Sequence, residues 1–321
     1  MANACMISVV VPVYNEEANI EEFLKRTVPI LEAIGTYEVI FALDPSPDRT
    51  EEMIARAAEK NPCIKGLVFS RRFGQPAAAL GGILNANGQW VAVIDGDLQD
   101  PPELIPDMLA KAAREHLDVV TAKRRSRKGE TAVKLLVAMA GYRLINRISD
   151  VPIPTDTGDF RVMSRRVVEE LRGLRESHGF LRGLVSFVGF PQGQFEYDRD
   201  ARFSGHGKYN RYIGSIRIGF NGLFGFSTIP LQAMIWCGCV LALISALGVV
   251  VMFVLKIMKG DEYPMGIPTI TILLLYLGGV QLVSTGIIGE YIGRIYEEVR
   301  ARPQYIVDRA IGLEVRSPRG R

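Results

Sequence analysis

The segment Asp95-Gly96-Asp97 has the residue types and the spacing best suited to chemistry. Its two carboxylates lie one residue apart, directly after the apolar run Trp90–Ile94, so both can face one point across a glycine. Hard divalent cations take oxygen ligands, and Mg²⁺ commonly bridges a carboxylate and the phosphates of a substrate. Asp44 follows another apolar run, which we expect to form a neighbouring strand of the same sheet. The segment therefore predicts a metal–phosphate site, whereas an acidic pair of this kind alone is also compatible with a solvated turn.

Two basic segments have the composition of phosphate-binding sites. Lys123–Lys128 contains five cations in six residues, and arginine binds phosphate through paired hydrogen bonds. The same charges would be attracted to anionic lipid headgroups. Arg202–Tyr209 is basic and glycine-rich, so it could close over a diphosphate and become ordered on binding. A solvated loop is the alternative for this second segment.

A third acidic segment, Thr155–Arg161, carries Asp156 and Asp159 around a glycine. Two carboxylates at this spacing could act as a general base or could orient a substrate. A structural ion pair with Arg161 or Arg165 is the alternative.

Alternating strand-like and helix-like segments must position these residues. The predicted strands are Ile7–Val13, Tyr37–Leu43, Ile64–Ser70, Trp90–Ile94 and Asp118–Ala122. The predicted helices are Asn15–Ile34, Asp48–Lys60, Gln75–Asn85 and Pro101–Glu115. This order indicates an α/β fold with a mostly parallel sheet and helices on both faces. Ligands of such sheets bind at the carboxyl ends of the strands, where the acidic residues lie.

Composition and missing motifs exclude several classes of protein. The chain of 321 residues has a net charge of only +3, which argues against a general nucleic-acid binder. No G-x-G-x-x-G follows the first strand and no P-loop motif occurs, so a dinucleotide-dependent dehydrogenase and a P-loop NTPase lose support. The four cysteines form no C-x-x-C pair, and the N-terminus lacks the pattern of a signal peptide.

Two long uncharged runs predict a C-terminal transmembrane hairpin. The chain carries no charge between Arg217 and Lys256, nor from Tyr263 to Gly289, whereas a membrane span needs about 20 apolar residues. We place the two spans at about 229–255 and 264–289. A pair of buried helices in a soluble core is the alternative.

The surroundings of these runs predict orientation and domain limits. The flanks carry Arg211, Arg217, Arg294, Arg300 and Arg302, against Lys256 and Lys259 in the connector. This excess favours flanks on the cytoplasmic side of the inner (plasma) membrane, in a multi-pass protein. The second uncharged run contains four glycines, which favour close approach of helices and therefore a homo-oligomer. They are Gly278, Gly279, Gly286 and Gly289. The predicted regions are a catalytic domain (1–209), an amphipathic juxtamembrane segment (210–228), the two helices (229–291) and a cytoplasmic tail (292–321), in which Gln304–Val307 is a candidate strand.

Several motifs together carry a family resemblance that spans nearly the whole chain. Val9–Glu17 (V-V-V-P-V-Y-N-E-E), the Asp44–Thr50 turn and Asp95–Pro102 (D-G-D-L-Q-D-P-P) resemble the family 2 glycosyltransferases with the GT-A fold. Gly158–Arg161 and Arg202–Tyr209 match further pieces. The most similar group is the polyisoprenyl-phosphate glycosyltransferases, which includes dolichol-phosphate mannose synthases and bacterial GtrB-type and ArnC-type enzymes. The two-helix anchor is similar to that of the GtrB and ArnC branch.

This resemblance implies roles for individual residues on the donor side. The nucleotide would be held by Pro12, Tyr14, Glu16, Asp44 and Asp95, with Asp44 near the base. A divalent metal, Mg²⁺ or Mn²⁺, would be held by Asp95, Asp97 and Gln99, and Asp97 would be catalytic. The diphosphate would be bound by Arg202 and Lys208.

On the acceptor side, the resemblance implies that Arg124 and Lys134 contact the acceptor phosphate. Asp156 and Asp159 are candidate catalytic residues. In many sugar transfers to a hydroxyl group a carboxylate acts as general base, but the implied lipid phosphate is already anionic near neutral pH and has less need of one. These two acids would then orient the sugar or the acceptor. The implied reaction is transfer of a hexose, with glucose favoured, from a UDP-sugar to an undecaprenyl-type polyprenyl phosphate in the bilayer, with inversion. The alternatives are a processive polysaccharide synthase, whose usual Q-x-x-R-W motif is missing here, and a catalytically inactive membrane scaffold. The sequence leaves open the sugar, UDP against GDP, and the metal.

Overall fold

The computed structural model describes residues 5–125, 157–174, 181–198, 229–259 and 266–315. The strands are β1 (Ile7–Val13), β2 (Tyr37–Leu43), β3 (Ile64–Phe69), β4 (Trp90–Val93), β5 (Val119–Arg124), β6 (Thr157–Ser164), β7 (Gln192–Tyr197) and β8 (Val307–Ile311). The helices are α1 (Glu17–Ile34), α2 (Thr50–Lys60), α3 (Gln75–Asn85), α4 (Ile105–Glu115), α5 (Arg165–Gly173), α6 (Leu181–Phe187), α7 (Ile229–Lys259) and α8 (Ile267–Arg300). Predicted site positions outside the described residues are Lys134, Asp156, Arg202 and Lys208, together with segment 210–228.

The described strands form one eight-stranded sheet in the order β7-β5-β6-β4-β1-β2-β3-β8. The four neighbours β4, β1, β2 and β3 are parallel. The prediction of a mostly parallel sheet is confirmed, because six of the eight described strands, β5 and β7 included, run in the same direction. The two exceptions are β6, which is antiparallel to both β4 and β5, and β8, which is antiparallel to β3. The sheet is therefore mixed, within the predicted α/β fold.

The predicted elements of residues 1–120 are confirmed, with small shifts at their ends. The bounds of β1, β2 and α3 are as predicted. Helix α1 begins at Glu17 because Asn15 adopts a left-handed backbone with a φ of 58°. Helix α2 begins at Thr50, whose backbone N–H donates to the Asp48 carboxylate at 3.2 Å. The same carboxylate accepts the backbone N–H of Glu17, the first residue of α1, at 3.1 Å. One aspartate thus fixes the starts of both helices.

Apolar side chains cover both faces of the sheet. One core cluster packs α1, α2 and α4 against one face, with Phe23, Ile54 and Met108 buried in it. The second cluster packs α3, α5 and α6 against the other face. The central strands lie between two layers, which agrees with their unbroken apolar sequences.

Helices α7 and α8 are the longest of the described elements, with 31 and 34 residues. Large apolar side chains along them are exposed, among them Trp236, Leu243, Leu247, Leu282 and Val283. Within the described residues, no helix combines the length and the apolar character needed to cross a membrane. The predicted hairpin and its orientation stay predictions.

The chain after α8 returns to the sheet. Helix α8 ends at Arg300, and the next residue, Ala301, has a left-handed φ of 47° that turns the backbone away from the helix axis. Tyr305 is buried at 2% exposure, and β8 pairs with the edge of β3. A strand was predicted at Gln304–Val307 and forms at Val307–Ile311, so the prediction was right in kind but placed too early.

Candidate functional site

The carboxyl ends of four parallel strands bring the predicted residues to one edge of the sheet. Tyr14 follows β1, Asp44 follows β2, segment 70–75 follows β3 and Asp95 lies two residues after β4. Because these strands are neighbours and parallel, the residues that follow them converge. A Cβ on Gly96 would lie 3.1 Å from a methyl group of Val13, so glycine lets the acidic turn lie against β1.

The acidic turn Asp95–Gln99 has a fixed shape. Asp97 is 5% exposed, and its Oδ1 accepts the backbone N–H of Gln99 at 3.2 Å. Leu98 adopts a left-handed backbone with a φ of 59°, which costs about 1–3 kcal/mol for a residue with a side chain. Its side chain is buried in the core at 1% exposure, and this packing holds the conformation. The turn is therefore set before any ligand arrives.

Asp95 is held from a neighbouring helix. Gln75, the first residue of α3, donates its side-chain Nε2–H to Oδ1 of Asp95 at 2.7 Å. Sequence reasoning did not find Gln75, although its position at a helix start after a glycine was visible. Oδ2 of Asp95 takes no part in this hydrogen bond.

The donor set of the turn suits a divalent cation shared with a phosphate. No group of three or more His, Cys, Asp or Glu side chains that could hold a metal occurs among the described residues. The acidic turn itself carries two carboxylates, those of Asp95 and Asp97, and the side-chain amide of Gln99. Mg²⁺ is commonly bound in this way, by one or two carboxylates together with substrate phosphates and water. The residues thus fit the metal that the resemblance implies.

Asp44 is buried and bonded to the segment after β3. At 2% exposure, it accepts the backbone N–H of Phe73 at 3.0 Å through Oδ1 and that of Gly74 at 2.8 Å through Oδ2. The predicted contact between Asp44 and a base is untested. In this structure the carboxylate secures the loop that starts α3.

Two arginines that the sequence analysis passed over lie in the same loop. The Arg72 guanidinium stacks 4.0 Å from the ring centroid of Tyr14, and Arg71 stacks 4.0 Å from that of Phe73. Both arginines are exposed. Their sequence signal was a basic pair directly after a buried strand. The pair lies in the segment that connects β3 to Gln75, the partner of Asp95.

The other predicted nucleotide residues have local structural contacts. Pro12 is buried within β1, opposite Ala42. Glu16 accepts from the Asn19 side chain, and its backbone N–H donates to Oγ1 of Thr50 at 2.9 Å. These contacts shape the turn between β1 and α1, on which Tyr14 lies.

Arg124, at the end of β5, lies near Asp100, the residue that follows the acidic turn. Its Nη2 lies 4.0 Å from Oδ1 of Asp100, which also accepts the hydroxyl hydrogen of Tyr197. Burial, followed by the Asp100 charge, raises the pKa of Tyr197, so this hydroxyl stays a donor. A Cβ on Gly158 would lie 3.1 Å from Nη2 of Arg124, so glycine leaves room for the guanidinium.

Asp159 belongs to an ion cluster. Its Oδ1 accepts from Nε of Arg182 at 2.9 Å and lies 3.6 Å from Nη2 of Arg161. Burial raises the pKa of Asp159, but the two arginines outweigh it and the net pKa is lowered. Burial lowers the pKa of Arg161 to about 10. Asp159 therefore stays ionised, and the ion pair considered as an alternative for it is present.

Comparisons with known proteins agree with this geometry. The family model described as "Glycosyl transferase family 2" matches residues 8–172, which contain the acidic turn. An uncharacterised glycosyltransferase of Synechocystis is 42% identical over 96% of this chain and 96% of the relative. The uncharacterised glycosyltransferase YkcC of Bacillus subtilis is 41% identical, over 98% of this chain and 97% of the relative.

A third relative carries a more specific name. The prophage-derived bactoprenol glucosyl transferase of Shigella flexneri is 40% identical, over 95% of this chain and 98% of the relative. Family model, full-length relatives and the converging strand ends lead to one conclusion: this chain is a glycosyltransferase and belongs to glycosyl transferase family 2.

Proposed function

We propose that this glycosyltransferase transfers glucose from UDP-glucose to an undecaprenyl-type polyprenyl phosphate, giving a lipid-linked sugar for the cell envelope. The observation that carries the proposal is the acidic turn Asp95–Gln99. It follows β4, while Tyr14, on which Arg72 stacks, follows the neighbouring strand β1, and Arg124 lies near Asp100 at the end of the turn. Relatives named bactoprenol glucosyl transferase, each 40% identical over at least 94% of this chain, support the acceptor and the sugar.

On the donor side, the acidic turn would bind the diphosphate together with a divalent metal, Mg²⁺ or Mn²⁺. Asp95, Asp97 and Gln99 would hold the ion, which supplies Lewis-acid stabilisation of the leaving nucleoside diphosphate. Tyr14 and Arg72 would lie beside the nucleotide, and Asp44 keeps the loop of Arg72 in place through Phe73 and Gly74. Arg202 and Lys208 are proposed to add charge to the diphosphate.

On the acceptor side, Arg124 would orient the lipid phosphate, with Lys134 as its partner. An oxygen of this phosphate forms a bond to the anomeric carbon while the bond from that carbon to the diphosphate breaks, with inversion. The nucleophile is already anionic, so no proton has to be removed. Asp159, ionised between Arg161 and Arg182, suits an orienting role, and Asp156 is proposed to act with it.

We also propose that α7 and α8 anchor the chain in the inner membrane as a hairpin with the catalytic domain in the cytoplasm. The support is the pair of uncharged runs in the whole sequence, 218–255 and 263–289, together with the exposed apolar side chains of both helices. Pairing of Val307 with Phe69 returns the chain from α8 to the carboxyl end of β3. A lipid phosphate at the bilayer surface would then be close to the site, and the glycines of α8 suit a homo-oligomer.

The first experiment measures transfer of radiolabelled sugars from UDP- and GDP-sugars to undecaprenyl phosphate in detergent, with Mg²⁺, with Mn²⁺ and without metal. We expect label from UDP-glucose in the lipid fraction only when metal is present. Label from a different donor would correct the sugar or the nucleotide. Donor hydrolysis without any lipid product would contradict the acceptor, and a folded protein that turns over no donor would favour the inactive scaffold.

Gln75→Ala is expected to weaken Mn²⁺ binding in the presence of UDP by about tenfold, the scale seen when a hydrogen-bond partner of a metal ligand is removed. The reason is that Asp95 loses the donor that fixes its Oδ1. The measurement is the Mn²⁺ titration of the full chain followed by electron paramagnetic resonance. Gln89→Ala, at an exposed position before β4, is the matched control. Equal Mn²⁺ affinity in the two variants would remove Gln75 from the site.

A further inference from the structure

We infer that the C-terminal segment 301–311 is a positioning element of the nucleotide site, which it braces through segment 70–75. This inference rests on the proposed nucleotide-sugar donor. The segment after α8 would then contribute to donor binding, although it is far from the site residues in the sequence.

Segment 70–75 connects the main components of the site. The backbone N–H groups of Phe73 and Gly74 bind Asp44. Arg72 stacks on Tyr14, and Gln75 binds Asp95. A shift of this short segment would therefore move the arginine stack and loosen the acidic turn at the same time.

The start of this segment lies at the surface, where Arg71 and Arg72 are held by stacking on Phe73 and Tyr14. Ser70, Arg71 and Arg72 are exposed, and Gly74 adopts a left-handed backbone with a φ of 94°. An exposed loop with such a conformation depends on contacts at its two ends for a defined position. The end toward α3 is bonded to Asp44 and Asp95. The end at β3 needs a separate restraint.

The C-terminal segment supplies the restraint at β3. The backbone N–H of Ser70 donates to the carbonyl of Ile306 at 2.9 Å. The buried ring of Tyr305 packs edge-on against Phe69 with 5.5 Å between centroids. Phe69 in turn packs edge-on against Phe73 at 6.3 Å. Tyr305 thus supports, through one intervening ring, the residue whose amide binds Asp44.

The same aromatic pair also locates α3. A Cβ on Gly81 would lie 2.9 Å from Cζ of Phe69 and 3.5 Å from Cδ1 of Tyr305, so this helix approaches the rings through a glycine. Helix α3 begins at Gln75. The tail therefore fixes both the loop and the helix that follows it.

The test compares Tyr305→Ala with Ile311→Ala in the full chain in detergent. Both changes remove a large side chain from the tail, but Ile311 lies opposite Gly66, at the far end of β3 from the site. Two quantities are measured: hydrogen exchange of the Phe73 and Gly74 amides without ligand, and the dissociation constants of UDP and GDP with Mn²⁺.

We expect Tyr305→Ala to speed exchange at Phe73 and Gly74 and to weaken nucleotide binding by about threefold to thirtyfold, the range for residues that act through packed neighbours. Ile311→Ala should leave both quantities near wild type, and so should Tyr305→Phe, which keeps the ring. If Tyr305→Ala proves much less stable than Ile311→Ala, Tyr305→Leu replaces it, because leucine keeps apolar volume without the ring.

The two possible failures are distinct. Unchanged exchange at Phe73 and Gly74 in the Tyr305 variant would overturn the bracing role, whatever the chain binds. A wild-type chain that binds neither UDP nor GDP would overturn the proposed donor, while the exchange data would still decide whether the tail braces the loop.

Discussion

Asp97→Asn is expected to lower sugar transfer to polyprenyl phosphate by more than about a hundredfold while the chain stays folded. Loss of an outer partner of a metal ligand already costs about 10–100-fold, and Asp97 is proposed as a ligand itself. The substitution keeps size and hydrogen-bonding capacity, so Oδ1 can still accept the Gln99 N–H. It removes the negative charge that would hold a divalent cation.

The measurement pairs the transfer rate with Mn²⁺ affinity in the presence of UDP, so that binding and chemistry are read separately. Asp107→Asn, on the exposed side of α4, is the matched control and should behave as wild type. Transfer within tenfold of wild type in Asp97→Asn would contradict the proposed metal site, because a carboxylate ligand would then be dispensable.

Glu38→Ala is expected to lower the free energy of unfolding by about 3–5 kcal/mol, the cost of removing one partner from a buried charge pair. Glu38 lies near the amino end of β2, whereas the site lies at the carboxyl ends of the strands, and it is 2% exposed. Its Oε1 accepts from Ser8 Oγ at 2.6 Å and from the Asn87 N–H at 2.6 Å, and its Oε2 accepts from Lys65 Nζ at 2.6 Å. The truncation would leave the Lys65 ammonium and the Ser8 hydroxyl without this partner.

Thermal or denaturant unfolding of the full chain in detergent checks this value. Glu52→Ala, which removes an exposed ion pair with Arg56, is the control and should change stability by less than about 1 kcal/mol. A loss of similar size in both variants would show that the buried network contributes no more than a surface pair.

The same glutamate predicts a dependence of stability on pH. Burial raises the pKa of Glu38, but the bonds from Lys65, Ser8 and Asn87 outweigh it and the net pKa lies below its ordinary value of 4.5. A carboxyl with a lowered pKa in the folded state stabilises the fold above the unfolded pKa. That contribution is lost as pH falls through the lowered value. Glu38→Gln should therefore lose stability more gently than wild type as the solution is acidified below pH 4.5.

The sequence predicted the acidic turn and its place in the sheet because both depend on local pattern. Alternation of apolar runs with helical spacing located β1 to β4, and their parallel order brought Asp44 and Asp95 to one edge. The antiparallel strands β6 and β8 were not predictable in this way, since each joins partners far away in the sequence. Their pairing depends on tertiary contacts that a local pattern does not contain.

The contacts within the site also fall into those that the strand order predicts and those that depend on tertiary packing. Asp44 and Asp95 were expected on neighbouring strands, which was wrong, because β1 lies between β2 and β4. The two residues do follow the carboxyl ends of parallel strands, as predicted. That Asp44 binds the amides of Phe73 and Gly74, and that Gln75 binds Asp95, depends on how α3 lies across the sheet. The stack of Arg72 on Tyr14 joins segments that are distant in sequence, and a basic pair after a strand is too common a pattern to predict it.

The pairing of β8 with β3 covers one edge of the sheet, so it limits how the chain can be shortened. A fragment that stops before α7 would present β3 to solvent as an open sheet edge, with backbone groups ready to pair with another chain. The cleft left by Tyr305 would add an apolar surface beside that edge. Such a fragment should self-associate, and a short linker in place of the long helices, joining the domain to residues 302–315, should restore a monomeric, protected sheet.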